Sequence, residues 1–256
     1  MYNYCHFIAN LSKVRLKKIE IDICLAIQGQ FFSELEYSLS SDMAWMSHFC
    51  IQWRFKPSAP KTNSSVFHLH NTSATRELSV YLDGQRLRHK CHPTYLGVTL
   101  DRTLSYREYL TKTAGKLKNR NILLMKLAGS TWGASAYTLR SSALALCYSA
   151  AAYCAPVWSR SAHTSQVDVQ LNSTMDLISG TLRSTPLTWL PVLSNTEPPA
   201  LQRKAATDKV VEKLVKQDSW PIQPDILSPP VLRLTSWKLL WLDLQPVDIK
   251  SRWRHN

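Results

Sequence analysis

The sequence lacks several features by which common protein classes are recognised. Its six cysteines include no C-x-x-C pair, which argues against a zinc ribbon or a thioredoxin-type motif. No apolar run approaches the ~20 residues that a membrane-spanning helix needs. The N-terminal basic residues follow a short apolar part instead of preceding it, so they do not indicate a signal peptide. There is no internal repeat and no Ser-His-Asp arrangement. These absences favour an intracellular protein, nuclear or cytoplasmic, without membrane contact.

What the sequence does contain is enough apolar material for a core and an excess of positive charge. Hydrophobic residues make up 45% of the 256 positions, which allows one large domain or two small ones. Lysine and arginine outnumber aspartate and glutamate by 31 to 18, and the net charge is +13. Such a balance attracts polyanions, of which RNA and DNA are the expected partners.

The first hundred residues are predicted to form strands around one helix. Residues 17–29 resemble a buried strand that carries one aspartate, Asp22, among isoleucines and leucines. Apolar residues at helical spacing predict a helix over 33–53, which begins with a Ser33-x-x-Glu36 capping box. A strand over 65–70 and a hairpin over 78–100 follow, and Asp83-Gly84 provides one hairpin turn.

From residue 104 onward the pattern is helical. A second capping box, Ser105 and Glu108, opens a helix with one apolar face and a basic row on another face. Further helices are predicted over 134–155, where Pro156 stops the helix, over 166–179 and over 199–216. Residues 219–256 are rich in proline and tryptophan and are predicted to be loosely structured.

These elements predict an α+β fold in three parts. Residues 1–103 would hold a partial antiparallel sheet with one packed helix, residues 104–218 a mainly α-helical region, and residues 219–256 the tail.

The order of these blocks resembles the palm and thumb of reverse transcriptases of non-LTR retrotransposons, of the LINE or jockey type. The residues that carry the resemblance are KPSAPKT at 56–62, VFHLH, YLGVTLD at 95–101, LSYREYLTK at 104–112 and ALALCYSAAAYCAPVW at 143–158. It covers roughly residues 19–217, and YLGVTLD in this context is its most specific part. The resemblance implies a partial palm sheet followed by a helical thumb and connection region.

The resemblance also implies RNA-directed DNA polymerisation with two Mg²⁺ ions held by palm aspartates. In the family a Tyr/Phe-Ala-Asp-Asp motif supplies two of these acids. Here Asp22 corresponds to the second aspartate, but Ile21 replaces the first and Ile19 the aromatic residue. Isoleucine offers Mg²⁺ no oxygen ligand, so Asp22 is expected to be vestigial and no cofactor is expected to bind. With eighteen residues and no aspartate before Ile19, we expect a truncated copy that does not polymerise alone.

Other sites follow from the same resemblance. Lys61 corresponds to a lysine near the nucleotide phosphates, although a solvated turn lysine is the simpler interpretation. Tyr95, Leu96 and Gly97 correspond to a hairpin that places the primer strand, although an ordinary strand would carry the same residues. The row Lys112, Lys116 and Arg120 would suit phosphate contacts along a thumb helix, or would simply face solvent.

A group of histidines with one cysteine raises the question of zinc. It consists of His68, His70, His89, His92 and Cys91, and its spacing matches no known structural zinc site.

Two alternatives to a reverse transcriptase fragment remain open. One is a non-catalytic basic module that binds nucleic acid. The other is a pseudogene product without a stable fold or function, whose strand around Asp22 would keep an unpaired edge.

Overall fold

The computed structural model describes residues 5–16, 19–29, 31–55, 57–68, 72–129, 133–182 and 184–216, with side chains from residue 23 onward. The chain divides into two compact units, Met1–Tyr109 and Leu110–Asn256. The described part of the first unit combines small sheets with one long helix, and that of the second consists of helices. The architecture is therefore of the α+β kind.

The main sheet of the first unit is built on a long hairpin. Strands β1 (Cys5–Leu16) and β2 (Ile19–Gly29) pair in antiparallel fashion, and a β-bulge interrupts their register. On the other side of β1 lie β3 (Asn63–Ser64) and β4 (Val66–Phe67), both antiparallel to it. Strand β7 (Arg88–His89) then pairs with β3 in parallel. The sheet is thus mixed, whereas the sequence predicted an antiparallel one, because the chain returns to β3 after a separate hairpin instead of directly.

One helix, α1 (Phe32–Gln52), connects β2 to β3 across the sheet. Since β2 and β3 both run antiparallel to β1, they are parallel to each other, and together with α1 they form a split β-α-β unit with β1 in the middle. The helix buries a stripe at spacings of three and four residues, formed by Leu35, Leu39, Met43, Ser47 and Cys50. The apolar core between α1 and the strands also includes Val66, Leu78, Val80, Leu82 and Leu87.

Two short hairpins complete the first unit. The pair β5 (Tyr81–Leu82) and β6 (Gln85–Arg86) closes around Asp83 and Gly84, whose φ angles are 50° and 76°. The pair β8 (Thr94–Tyr95) and β9 (Val98–Thr99) closes around Leu96 and Gly97, with φ angles of 45° and 81°. Both are two-residue turns with two positive φ angles, the geometry that matches the twist of paired strands. The predicted turn at Asp83-Gly84 is confirmed.

Helix α2 (Arg107–Leu127) runs from the end of the first unit into the second. A continuous helical segment follows, in which α3 (Ala136–Ala143) and α4 (Ser149–Ala152) flank a π-helical turn, Leu144–Tyr148. After it come the short α5 (Ala155–Trp158), α6 (Ser165–Ser179), the short α7 (Leu190–Leu193) and α8 (Pro199–Val215).

Helix α8 is joined to α6 by an ion pair. The guanidinium of Arg203 on α8 makes a two-pronged contact with the carboxylate of Asp168 on α6, with 3.0 Å between Nη2 and Oδ2. It also lies over the ring of the buried Trp158, 5.7 Å from the ring centroid. Only 12% of the Arg203 side chain is exposed, and its contacts with Asp168 and Trp158 join α8 to α6 and α5.

Several sequence predictions are confirmed at the level of elements. The helices predicted over 33–53, 166–179 and 199–216 begin and end within one residue of those observed. Helix α6 ends at Ser179 and is followed by Gly180 with φ 64°, a left-handed conformation that glycine favours. The segment 219–256 and the last two residues of the strand predicted over 65–70 lie outside the described residues.

Two local predictions are wrong. Helix α1 begins at Phe32 behind Phe31, with no side-chain cap at its N-terminus, so the Ser33-Glu36 capping box does not form. Instead Glu36 accepts a bond from the Ser79 backbone N–H at 3.1 Å and approaches Arg76 at 3.8 Å. The helix predicted over 134–155 ends earlier, at Ala152, and Pro156 lies inside α5, where the first turn tolerates proline.

Within the described ranges, no helix is long and apolar enough to cross a membrane.

Candidate functional site

Asp22 and Lys61 lie at the same end of the main sheet. The pairing register places Cys24 of β2, Asn10 of β1 and Asn63 of β3 in one row. Asp22 lies two residues before Cys24, and Lys61 lies two residues before Asn63. These two segments run parallel to each other on either side of β1. Two strand spacings, on the order of 10 Å, separate the backbones of Cys24 and Asn63. The fold therefore brings two positions that are 39 residues apart in sequence to the same end of the sheet.

The backbone at Asp22 is irregular. Leu11 pairs with Ile23 and Val14 with Ile21, so two residues of β1 lie opposite Asp22 alone. This is a β-bulge, a feature that locally increases the twist and re-aims a side chain. The bulge singles out Asp22 from the regular ladder on either side of it.

The donor set around Asp22 does not fit a pair of magnesium ions. The residues next to it in the strand are Ile21 and Ile23, and those opposite it in β1 are Ser12 and Lys13; none of the four has a carboxylate. Mg²⁺ requires hard oxygen ligands in near-octahedral geometry, and a two-metal site needs more than one carboxylate.

Lys61 ends a single 3₁₀ turn, Ala59–Lys61, that leads into β3. Its side chain is exposed, while Thr62 is buried and its hydroxyl donates to the Ser58 carbonyl at 2.8 Å. The turn is thus fixed by proline and by this threonine, and it presents Lys61 to solvent.

Tyr95, Leu96 and Gly97 form the tip of the β8-β9 hairpin. Tyr95 pairs with Val98, whose side chain is buried, while 60% of Leu96 is exposed. The base of this hairpin is held at the far end of β4, where the His68 backbone N–H donates to the Arg102 carbonyl at 2.9 Å. Arg102 Nη1 in turn donates to the His68 carbonyl at 3.1 Å. The hairpin is therefore anchored at the opposite end of the strand from Lys61.

Asp101 organises the turn between this hairpin and α2. Its carboxylate accepts bonds from the backbone N–H of Ser105 at 3.0 Å and of Tyr106 at 2.7 Å. It also accepts from the hydroxyls of Ser105 at 2.7 Å and Thr103 at 2.9 Å. Burial raises the pKa of Asp101, but these bonds together outweigh it, so the net pKa lies below its usual value. Asp101 was noticed in the sequence only as the end of YLGVTLD, and this bonding role was missed.

The basic row of α2 divides into two kinds of residue. Lys112 and Lys116 are exposed, one helical turn apart. Arg120 is half-buried and its guanidinium donates to the Leu146 carbonyl in the π-helical turn. A π-turn breaks the regular pattern of helical hydrogen bonds, and Arg120 supplies a donor to one of its backbone carbonyls. The exposed residues of the predicted row are therefore Lys112 and Lys116.

A buried polar network in the second unit was not found from the sequence. Asn121 Oδ1 accepts from the Thr174 hydroxyl at 2.7 Å and from Cys147 Sγ at 3.5 Å, and Asn121 Nδ2 donates to the Gln170 carbonyl at 2.9 Å. The network joins α2, the π-helical turn and α6. Asn121 lies on the face that the leucines of α2 occupy, and a lone polar residue on such a face was the available signal.

The histidines and Cys91 do not form one group, and they differ in burial and in their contacts. His68 is buried with its ring edge-on to Phe32, at 5.6 Å between centroids, and His92 Nε2 lies 3.7 Å from Glu108. Burial lowers the pKa of His89, and Cys91 is exposed. Among the described side chains no three His, Cys, Asp or Glu residues are grouped so as to hold a metal ion, and His70 lies outside the described residues.

No protein-family model, curated protein or solved structure matches this chain.

Proposed function

We propose that the chain carries the palm and thumb region of a non-LTR retrotransposon reverse transcriptase and does not polymerise by itself. The observation that carries the proposal is the common location of Asp22 and Lys61 at one end of the sheet, in a split β-α-β unit. In the family that these motifs resemble, the corresponding residues act on the same nucleotide. The tight hairpin at Tyr95–Val98, followed directly by a basic helix, supports the same interpretation.

The proposed inability to polymerise rests on the shortage of oxygen ligands for metal ions around Asp22. With Ile21 in place of an acid, a single carboxylate would have to hold two divalent ions against their hydration, and it does not supply enough oxygens. Lys61 then has no metal-bound phosphate to act upon.

A primer-extension assay on the full chain with an RNA template and Mg²⁺ or Mn²⁺ tests this proposal. We expect no extended primer with wild type or with Asp22→Asn. Extension by wild type that Asp22→Asn abolishes would show a working metal site. Extension that wild type and Asp22→Asn support equally would come from a contaminating polymerase. In that case Lys61→Ala should support the same extension.

A second function, favoured by the exposed pair on α2, is nucleic-acid binding without catalysis. Lys112 and Lys116 lie on one face of α2, on a chain of net charge +13. Their spacing of about 6 Å along the axis resembles that of successive phosphates, so both ammonium groups can contact one strand. Binding of this kind is independent of base sequence and weakens with salt.

The lysine pair is tested by measuring the affinity for single-stranded RNA over a series of salt concentrations. We expect Lys112→Glu with Lys116→Glu to lower the affinity and to reduce the slope of log K against log salt by about 1.4, at 0.7 for each lost phosphate contact. The matched control is Lys209→Glu with Lys213→Glu, an exposed pair at the same spacing on α8. Equal losses in both double variants would show that only net charge matters, and the α2 site would be rejected.

A further inference from the structure

Two buried polar atoms lie side by side on the strands β3 and β7. Ser64 and His89 are paired residues of these parallel strands, so their side chains project from the same face of the sheet, about 5 Å apart at the usual strand spacing. Ser64 is fully buried. Both Ser64 Oγ and His89 Nδ1 are shielded from solvent, and neither has a hydrogen-bond partner among the residues that the structure describes.

The backbone around these two atoms is held by other contacts. The Lys90 backbone N–H donates to the Ser64 carbonyl at 2.9 Å, and the Ser65 hydroxyl donates to the Lys90 carbonyl at 2.8 Å. Leu87, just before β7, belongs to the apolar core between α1 and the strands. These contacts fix β7 beside β3 and therefore keep Ser64 Oγ and His89 Nδ1 next to each other.

Two such atoms require a partner. A buried hydroxyl or ring nitrogen that gives up its bonds to solvent and gains none in the protein costs free energy. Buried polar side chains in native proteins are therefore nearly always bonded, either to protein or to an ordered water. Because the strands hold Ser64 and His89 in place, the partner has to fit between them.

The chemistry of the two atoms selects this partner. Burial lowers the pKa of His89, while the nearby Glu77 raises it and Arg86 lowers it, so the ring is neutral at pH 7. A neutral imidazole has one donor and one acceptor nitrogen, and a hydroxyl can do both. An anion would lack a charged donor here, whereas one water donates and accepts. Two hydrogen bonds of about 2.8 Å that meet at a water span up to about 5 Å, which matches the separation of the strands.

We propose that one ordered water binds between β3 and β7 and bridges Ser64 Oγ and His89 Nδ1. Strand β7 has two residues and stands at one end of the strand order of the main sheet, so few backbone hydrogen bonds hold it. The bridge adds a side-chain connection to this short contact and satisfies both buried atoms. This water site is independent of any polymerase origin and of nucleic-acid binding.

Oxygen-17 magnetic relaxation dispersion of the full chain counts the waters that stay bound for longer than the protein takes to tumble. We expect Ser64→Val, which replaces the hydroxyl by methyl groups, to hold one such water fewer than wild type. The matched control is Ser65→Val, the same change at the next buried serine, whose hydroxyl already bonds the Lys90 carbonyl. Its count should equal that of wild type. An unchanged count in Ser64→Val, or an equal loss in Ser65→Val, overturns the proposal.

The histidine side of the bridge is tested in the same way. His89→Asn keeps a polar amide atom near the position of Nδ1 and should retain the water, whereas His89→Leu should lose it. Equal counts in these two variants would reject the bridge. A crystal structure of the wild type decides the matter even if a variant does not fold. It should show one water within hydrogen-bond distance of both Ser64 Oγ and His89 Nδ1, and a direct bond between these atoms, or no water beside them, rejects the site.

Discussion

Asp101 stabilises a turn that the backbone alone does not favour. Leu104 and Tyr106 both have positive φ, 53° and 60°, although neither is glycine. Residues in this region cost on the order of 1 kcal/mol or more each and persist only where their surroundings impose them. The four bonds accepted by Asp101, two of them from backbone N–H groups, hold the chain there. One carboxylate thus offsets the strain of the turn from which α2 starts.

We expect Asp101→Asn to lower the free energy of unfolding by about 1–2 kcal/mol at pH 7, because bonds to a charged acceptor are replaced by weaker ones to an amide. Urea denaturation followed by circular dichroism measures this loss. The matched control is Asp208→Asn, the same chemical change on α8, which should alter stability by less than about 0.5 kcal/mol.

The effect should also depend on pH, with a definite sign. The folded pKa of Asp101 lies below its unfolded value of about 4, so the carboxylate contributes its full stability above pH 4. That contribution is lost as the pH falls through the folded pKa. The difference between wild type and Asp101→Asn should therefore shrink as the pH is lowered below 4, and a difference that is constant with pH would contradict this role of the charge.

At the scale of elements, the helices were predictable where periodicity and end signals agree. Helix α6 has buried Val167, Leu171 and Met175 on one face and is followed by Gly180, and it was predicted within one residue. Helix α1 has an equally clear apolar stripe, but its capping box does not form because Glu36 instead contacts Ser79 and Arg76, which are forty or more residues away. A tertiary partner competes with the local cap, and the sequence window does not contain it.

Strands were harder to predict for the same reason. β1 was not predicted, since CHFIANLSKVRL does not alternate between apolar and polar residues, and its pairing with β2, β3 and β4 is what makes it a strand. The candidate site follows from this pairing. Asp22 and Lys61 were each identified by their local motifs, but their common location depends on a register set through β1.

The π-helical turn shows how an element can change the meaning of a residue. A row at i, i+4 and i+8 predicted that Arg120 would join Lys112 and Lys116 on the basic face. The turn at Leu144–Tyr148 disturbs the bonding ladder there, and the guanidinium of Arg120 donates to the Leu146 carbonyl. Nothing in the alanine- and leucine-rich sequence of this segment signals a π-turn, so this use of Arg120 was out of reach of pattern analysis.

At the scale of the whole molecule, the two compact units are each fixed by their own charged contact. Asp101 binds within the first unit to Thr103, Ser105 and Tyr106, and Arg203 binds within the second to Asp168 beside Trp158. The two sets share no residue. Substitutions in two groups of contacts that share no residue are expected to change the free energy of unfolding additively.

We therefore expect Arg203→Met to lower the free energy of unfolding by about 2 kcal/mol, since it leaves the partly buried Asp168 without its partner. Combined with Asp101→Asn, the loss should equal the sum of the two single losses to within about 0.5 kcal/mol. Urea denaturation of the wild type, both single variants and the double variant measures the coupling. Lys204→Met, which removes the neighbouring exposed cation of α8, serves as the control for loss of charge. Independent sites deviate from additivity by about 0.5 kcal/mol. A loss in the double variant that differs from the sum by more than about 1 kcal/mol would therefore show that the two units are energetically coupled.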